Sequence, residues 1–153
     1  MAAMALPSTI EQLHELLDRA VQDFIASGAV AQFTADTRQS EWNLTQHLAT
    51  AIEDYLPELR KDVDLIKPGA GLRRPDIVFH IANTHRSNFL AIELKKDGSA
   101  RAVLADVVKI RRYWFAAPYR YSFGAAINLR SDNTFEIRVL ANPNRRRPVL
   151  RRR

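Results

Sequence analysis

Apolar residues recur on one stripe of a 3.6-residue period from Thr9 to Ser27, through Ile10, Leu13, Leu17, Val21, Phe24 and Ile25. This spacing predicts a first helix. Ser8 and Glu11 have the separation of a capping box, and Gly28 supplies a stop. Residues 28–39 lose the period and read as a connector. A second helix is predicted after Ser40, a candidate N-cap, and ends before Pro57. Alternation then takes over in short runs, Val63 to Lys67, Pro75 to Ile81 and Asn88 to Lys95, which predict three strands. Asp97-Gly98-Ser99 breaks this pattern. Val103, Val107, Ile110 and Trp114 restore a helical period between Arg101 and Ala116. Two further strands, Tyr121 to Leu129 and Phe135 to Leu140, flank the turn-like Ser131-Asp132-Asn133.

The predicted order is therefore helix, helix, three strands, helix, two strands. Strands joined by short turns form a meander, and a helix between two strands allows a crossover that leaves the fourth strand parallel to the third. The expectation is an α/β fold, a mixed central sheet with helices on both faces. One domain is expected over residues 1–144, with its core at about 40–140 and a basic tail at 145–153.

The hairpin from Pro75 to Lys96 concentrates the chemistry. If its turn centres between Thr84 and His85, Asp76 lies opposite Glu93 with Cβ atoms about 5 Å apart. Period-two alternation places Lys95 on the Glu93 face. Ile77, Phe79 and Ile81 then meet Leu90, Ile92 and Leu94 on the other face, an apolar layer that fixes the register. Carboxylates this close raise one another's pKa unless a cation intervenes. Mg²⁺, a hard ion that takes oxygen ligands, resolves the conflict; a cross-strand salt bridge of Lys95 with either acid is the alternative. The second helix bears on the choice. At roughly 100° per residue, Leu44, Leu48, Ile52 and Tyr55 fall within about 60° of Glu41, which places Glu41 on the core-facing stripe. A glutamate there needs a partner: the helix N-terminus, or the same metal pocket.

Pro75-Asp76 followed on the next strand by Glu93-Leu94-Lys95 resembles the PD-(D/E)XK nuclease superfamily, whose restriction-endonuclease-like core is αβββαβ. From Ser40 to Leu129 the predicted elements follow a similar order, and Asp106 to Ile110 and Phe123 to Ile127 look like the family's later helix and strand. The resemblance implies that Asp76 and Glu93 ligate Mg²⁺ (or Mn²⁺), with the Leu94 backbone carbonyl as a further ligand. It implies that Lys95 orients or activates the attacking water, and that Glu41 helps hold a metal or its water. The implied activity is phosphodiester hydrolysis in nucleic acid, DNA above all. A catalytically silent nucleic-acid-binding module, or an accessory subunit of the same fold, is the alternative reading.

Charge adds a tail to this picture. Net charge is +6, yet without Arg145, Arg146, Arg147, Arg151, Arg152 and Arg153 the chain would balance its 17 acidic residues. That tail is expected to contact phosphates, with disorder or another acidic partner as the competing uses. Arg73, Arg74, Lys96 and Lys109 flank the pocket as candidate phosphate contacts. Lys109, Arg111 and Arg112 are a candidate basic ridge, although Lys109 can also approach the pocket. The chain has no cysteine, which excludes disulfides, thiolate zinc sites and a cysteine nucleophile. No spacing suits a histidine ligand pair, a P-loop or a G-x-S-x-G elbow. Trp42 and Trp114 are spaced as core residues. A cytoplasmic protein without a membrane span is expected, and the first helix is a candidate homodimer surface, with core packing as the equal alternative.

Overall fold

The computed structural model describes residues 5–32, 38–63, 73–81 and 88–145. Its elements are α1 (Ile10–Ala26), α2 (Ala29–Gln32), α3 (Arg38–Glu53), β1 (Arg60–Val63), β2 (Ile77–His80), β3 (Asn88–Lys96), α4 (Ala100–Lys109), β4 (Phe123–Leu129) and β5 (Phe135–Ala141). A π-helical turn, Ile110–Trp114, continues α4. The five strands form one sheet in sequence order. Neighbours are antiparallel except β3 and β4, which run parallel across the α4 crossover. The expected mixed sheet with helices on both faces is therefore present.

Alternation along the central strands sorts the core into two layers. Ile77, Phe79, Leu90, Ile92, Phe123, Ala125 and Ile127 pack against Leu13, Leu17 and Phe24 of α1 and Leu44, Leu48 and Ile52 of α3. Val78, Ala91 and Ala126 face the other way, onto Val103, Val107, Ile110 and Trp114. The apolar side chains that these central strands turn to this second face are small, Ala and Val, so α4 and the π turn can approach the sheet closely. The approach is tightest at Gly124, where a Cβ would lie 2.3 Å from Ile110 Cγ2.

The local signals differ from the sequence reading at several ends. Thr9, not Ser8, caps α1, accepting from the Gln12 amide at 3.1 Å, while Gln12 Oε1 accepts from the Ser8 amide. Thr9 and Gln12 thus carry the three-residue spacing that Ser8 and Glu11 also have. Gly28, at φ 78°, takes the left-handed conformation just beyond α1, as a glycine stop does. Helix α3 begins at Arg38, so Ser40 lies inside it and is not its N-cap. The first strand is Arg60–Val63, upstream of the expected run; residues 64–67 lie outside the described ones. Being an edge strand, β1 tolerates Arg60, Lys61 and Asp62, which hid it from a hydrophobic-pattern search. Trp42 is 48% exposed rather than core, and Ile10 is 38% exposed. Both lie near helix starts, ahead of the buried stripes that begin at Leu13 and Leu44.

Candidate active site

The β2–β3 register is the predicted one: Ile77 pairs with Ile92, Val78 with Ala91 and Phe79 with Leu90. Carried one residue further, it brings Asp76 opposite Glu93. The register shifts at Phe79/His80, on the far side of this pairing from Asp76, so the irregularity leaves the acidic pair aligned. The hairpin tip itself, including His85, lies outside the described residues.

Asp76 and Glu93 sit on the α4 face of the sheet, and each is held by specific donors. The Leu94 N–H donates to Asp76 Oδ2 at 2.7 Å. Glu93 is 1% exposed; its Oε1 accepts from the Trp114 indole N–H at 2.8 Å. Lys109 Nζ donates to Glu93 Oε2 at 3.0 Å and also reaches the Arg74 carbonyl at 3.4 Å. Burial pushes the Glu93 carboxyl up to about 8, and the Asp76 charge adds to the rise; Lys109 and Trp114 oppose it. Burial likewise raises Asp76, against the Leu94 hydrogen bond and the positive charges of Lys109 and Lys95. These are two carboxyl groups whose surroundings resist full ionisation without more positive charge.

Lys95, two residues beyond Glu93 on the same face, directs its ammonium to Asp106 of α4, with Nζ–Oδ1 3.5 Å. Asp106 is buried, and burial raises its carboxyl above the ordinary range. Its second oxygen has no hydrogen-bond partner among the described residues. The loop that leads from β3 into α4 is fixed by Asn128 of β4. Its side-chain oxygen accepts from the Gly98 amide at 2.9 Å, and its side-chain nitrogen donates to the Gly98 carbonyl at 2.8 Å. Ser99 then caps α4 by accepting from the Ala102 amide.

Glu41 does not join this group. It is exposed on the first turn of α3, a helix that covers the opposite face of the sheet. Its periodicity is that of the core stripe, but burial along that stripe begins one turn later, at Leu44. Among the described residues there is no cluster of three or more His, Asp or Glu side chains arranged to hold a metal. The donor set that fits a hard divalent ion is Asp76, Glu93 and the adjacent Leu94 main chain. Lys109 lies where it already neutralises Glu93, so loading an ion there requires its ammonium to withdraw.

Lys109 is thus turned into the site rather than aligned in a ridge with the exposed Arg111 and Arg112. Arg73 lies over the Tyr113 ring, 4.4 Å from its centroid, and Arg112 lies 5.5 Å from the same ring. Arg73 and Arg74 are exposed and Lys96 is half-buried. Arg145 lies 5.4 Å from the Phe123 ring centroid. Arg146, Arg147, Arg151, Arg152 and Arg153 fall outside the described residues.

The contacts of Asp106, Trp114 and Asn128 with this group escaped the sequence reading. For Asp106 the signal was present: Val103, Asp106, Val107 and Ile110 share one helical stripe, the argument applied to Glu41. Trp114 was recognised as core, but nothing in its spacing reveals that its indole nitrogen meets a carboxylate. No protein-family model, curated protein or solved structure matches this chain. No helix among the described residues is long and apolar enough to cross a membrane.

Proposed function

We propose that this chain is a metal-dependent nuclease of the PD-(D/E)XK kind, with a restriction-endonuclease-like fold, that hydrolyses phosphodiester bonds in DNA using Mg²⁺ or Mn²⁺. The observation that carries the reading is the opposition of Asp76 and Glu93, two carboxyls raised by burial, with the Lys95 and Lys109 ammonium groups beside them. An ordinary structural salt bridge needs one acid and one base. Here the Asp76 and Glu93 carboxyls share a face with two amines, on elements whose order along the chain from α3 to β4 is αβββαβ.

A bound divalent ion would polarise a phosphoryl oxygen and lower the pKa of its water. The protein's own groups would do the rest. Asp76 and Glu93 supply oxygen ligands, with Leu94 fixing the Asp76 carboxylate through its amide. Lys95 offsets negative charge developing on the phosphoryl group and orients the attacking water. Lys109, beside Glu93, would contribute positive charge at the same place. Trp114 keeps Glu93 in one orientation. Arg73, steadied by Tyr113, is a phosphate contact at the site's margin. The arginine tail adds affinity that falls with salt, by a log–log slope of about −0.9 per duplex phosphate contact.

The test is cleavage of supercoiled plasmid and of linear, single-stranded and branched DNA by the full chain. Cleavage is expected with Mg²⁺ or Mn²⁺, none with EDTA, and none in folded Asp76→Ala or Lys95→Ala variants. Activity in those variants equal to the parent's would overturn the assignment. Metal binding and DNA binding without cleavage of any substrate would instead identify a silent module of the same fold.

A further inference from the structure

We infer that Asp106 is the positioning residue for Lys95: its carboxylate, together with the Gly98–Asn128 clamp, holds the Lys95 ammonium in the attitude that catalysis requires. The inference rests on the nuclease reading for its purpose but on independent geometry for its content.

Two contacts act on this one side chain, and a third residue braces one of them. Gly98 closes over its base, since a Cβ built there would lie 2.9 Å from Lys95 Cβ and 3.2 Å from Lys95 Cγ. Asn128, which pairs with Lys95 across the parallel β3–β4 ladder, grips Gly98 through both its amide and its carbonyl. Asp106 meets the far end at 3.5 Å. A lysine side chain otherwise samples many rotamers, and fixing it at both base and tip removes most of that freedom before substrate arrives. Asp106 itself has little latitude. It is buried at 5% exposure on the Val103–Val107 stripe, and its other oxygen has no hydrogen-bond partner among the described residues. An acid there is costly, and a purely apolar contact would serve packing better. Among the described residues the basic group in ion-pair distance of it is Lys95, whose side chain is 41% exposed and can therefore meet a substrate while its tip is held.

Asp106 touches no reacting atom in this scheme; it acts through Lys95. The test combines turnover with a direct measurement of Lys95 order. In the full-length Asp106→Asn variant, which keeps size and shape, cleavage turnover with Mg²⁺ is expected to fall roughly 10- to 100-fold, with the KM for DNA unchanged. Asp106→Glu is expected to recover part of that loss. NMR relaxation at the Lys95 ammonium nitrogen, assigned with Lys95→Arg, should report an ordered group in the parent and a mobile one in Asp106→Asn. Gly98→Ala, which displaces the lysine base without altering charge, is expected to mobilise the same ammonium and decides the matter should Asp106→Asn fail to fold. An ammonium equally ordered in the folded variants and the parent would overturn the inference. So would full turnover in Asp106→Asn. The relaxation measurement needs no cleavage, so an inactive parent whose Lys95 is released by Asp106→Asn would refute the nuclease reading while leaving the positioning contact established.

Discussion

Replacing Glu93 by Gln should make the fold less sensitive to pH, and the size of the effect follows from burial. Glu93 titrates at about 8 in the folded chain, against an ordinary value of 4.5. Below the lower value both folded and unfolded chains hold the proton, and the group contributes no pH dependence. Between the two values the unfolded chain releases it while the folded chain keeps it. The folded state then binds more protons, so stability falls as pH rises, by about 1.4 kcal/mol per unit for this one group. Above about 8 the folded carboxyl ionises and the slope disappears. From about pH 5.5 to about pH 7.5 the parent should therefore lose on the order of 2–3 kcal/mol relative to Glu93→Gln. The glutamine has one oxygen where the carboxyl has two, so it serves Trp114 or Lys109 but not both, a constant offset of about 1 kcal/mol across this range. Asp76, also raised by burial, adds a slope of the same sign to both proteins and so drops out of the comparison. The assay is urea unfolding of parent and variant with EDTA at several pH values, compared by linear extrapolation. A stability difference that does not change between about pH 5.5 and about pH 7.5 would refute the burial argument.

Two further outcomes follow from the same face of the sheet. Trp114→Phe retains most of the apolar volume but removes the donor to Glu93 Oε1; a loss of about 1–3 kcal/mol is expected, read by denaturant unfolding. Gly124→Ala forces a methyl against Ile110 at the start of the π turn; it should cost about 1–3 kcal/mol and shift the Trp114 fluorescence.

The hairpin was legible because two signals agree on it. Ile77 and Phe79 facing Leu90 and Ile92 exclude a one-residue slip, and the expected turn position selects the register that sets Asp76 opposite Glu93. The α4 crossover was legible from its helical period, but its ending was not. An α-helix was expected to Ala116, whereas the chain widens into an i→i+5 turn, closed by the Phe115 amide on the Ile110 carbonyl at 3.0 Å. Hydrophobic spacing does not distinguish those two windings. Glu41 misled for a different reason: periodicity assigns a residue to a helix face but cannot tell how far along the helix its neighbours extend. Lys109 lies off the Val103–Val107 stripe, and its inward turn is decided by Glu93, a partner on another element.

Asp76, Glu93, Lys95, Asp106, Lys109 and Trp114 all come from one continuous stretch, a hairpin arm followed by a crossover. The first two long helices and the last strand, by contrast, supply apolar cover to the sheet. The two layers are therefore free to diverge at different rates. Substitutions in α1, α3 or β5 are constrained chiefly by volume and hydrophobicity. Those between Asp76 and Trp114 must also preserve charge, hydrogen-bonding geometry and the close approach of helix to sheet. Such a division lets overall sequence similarity decay while the face that carries the carboxyl and ammonium groups stays intact.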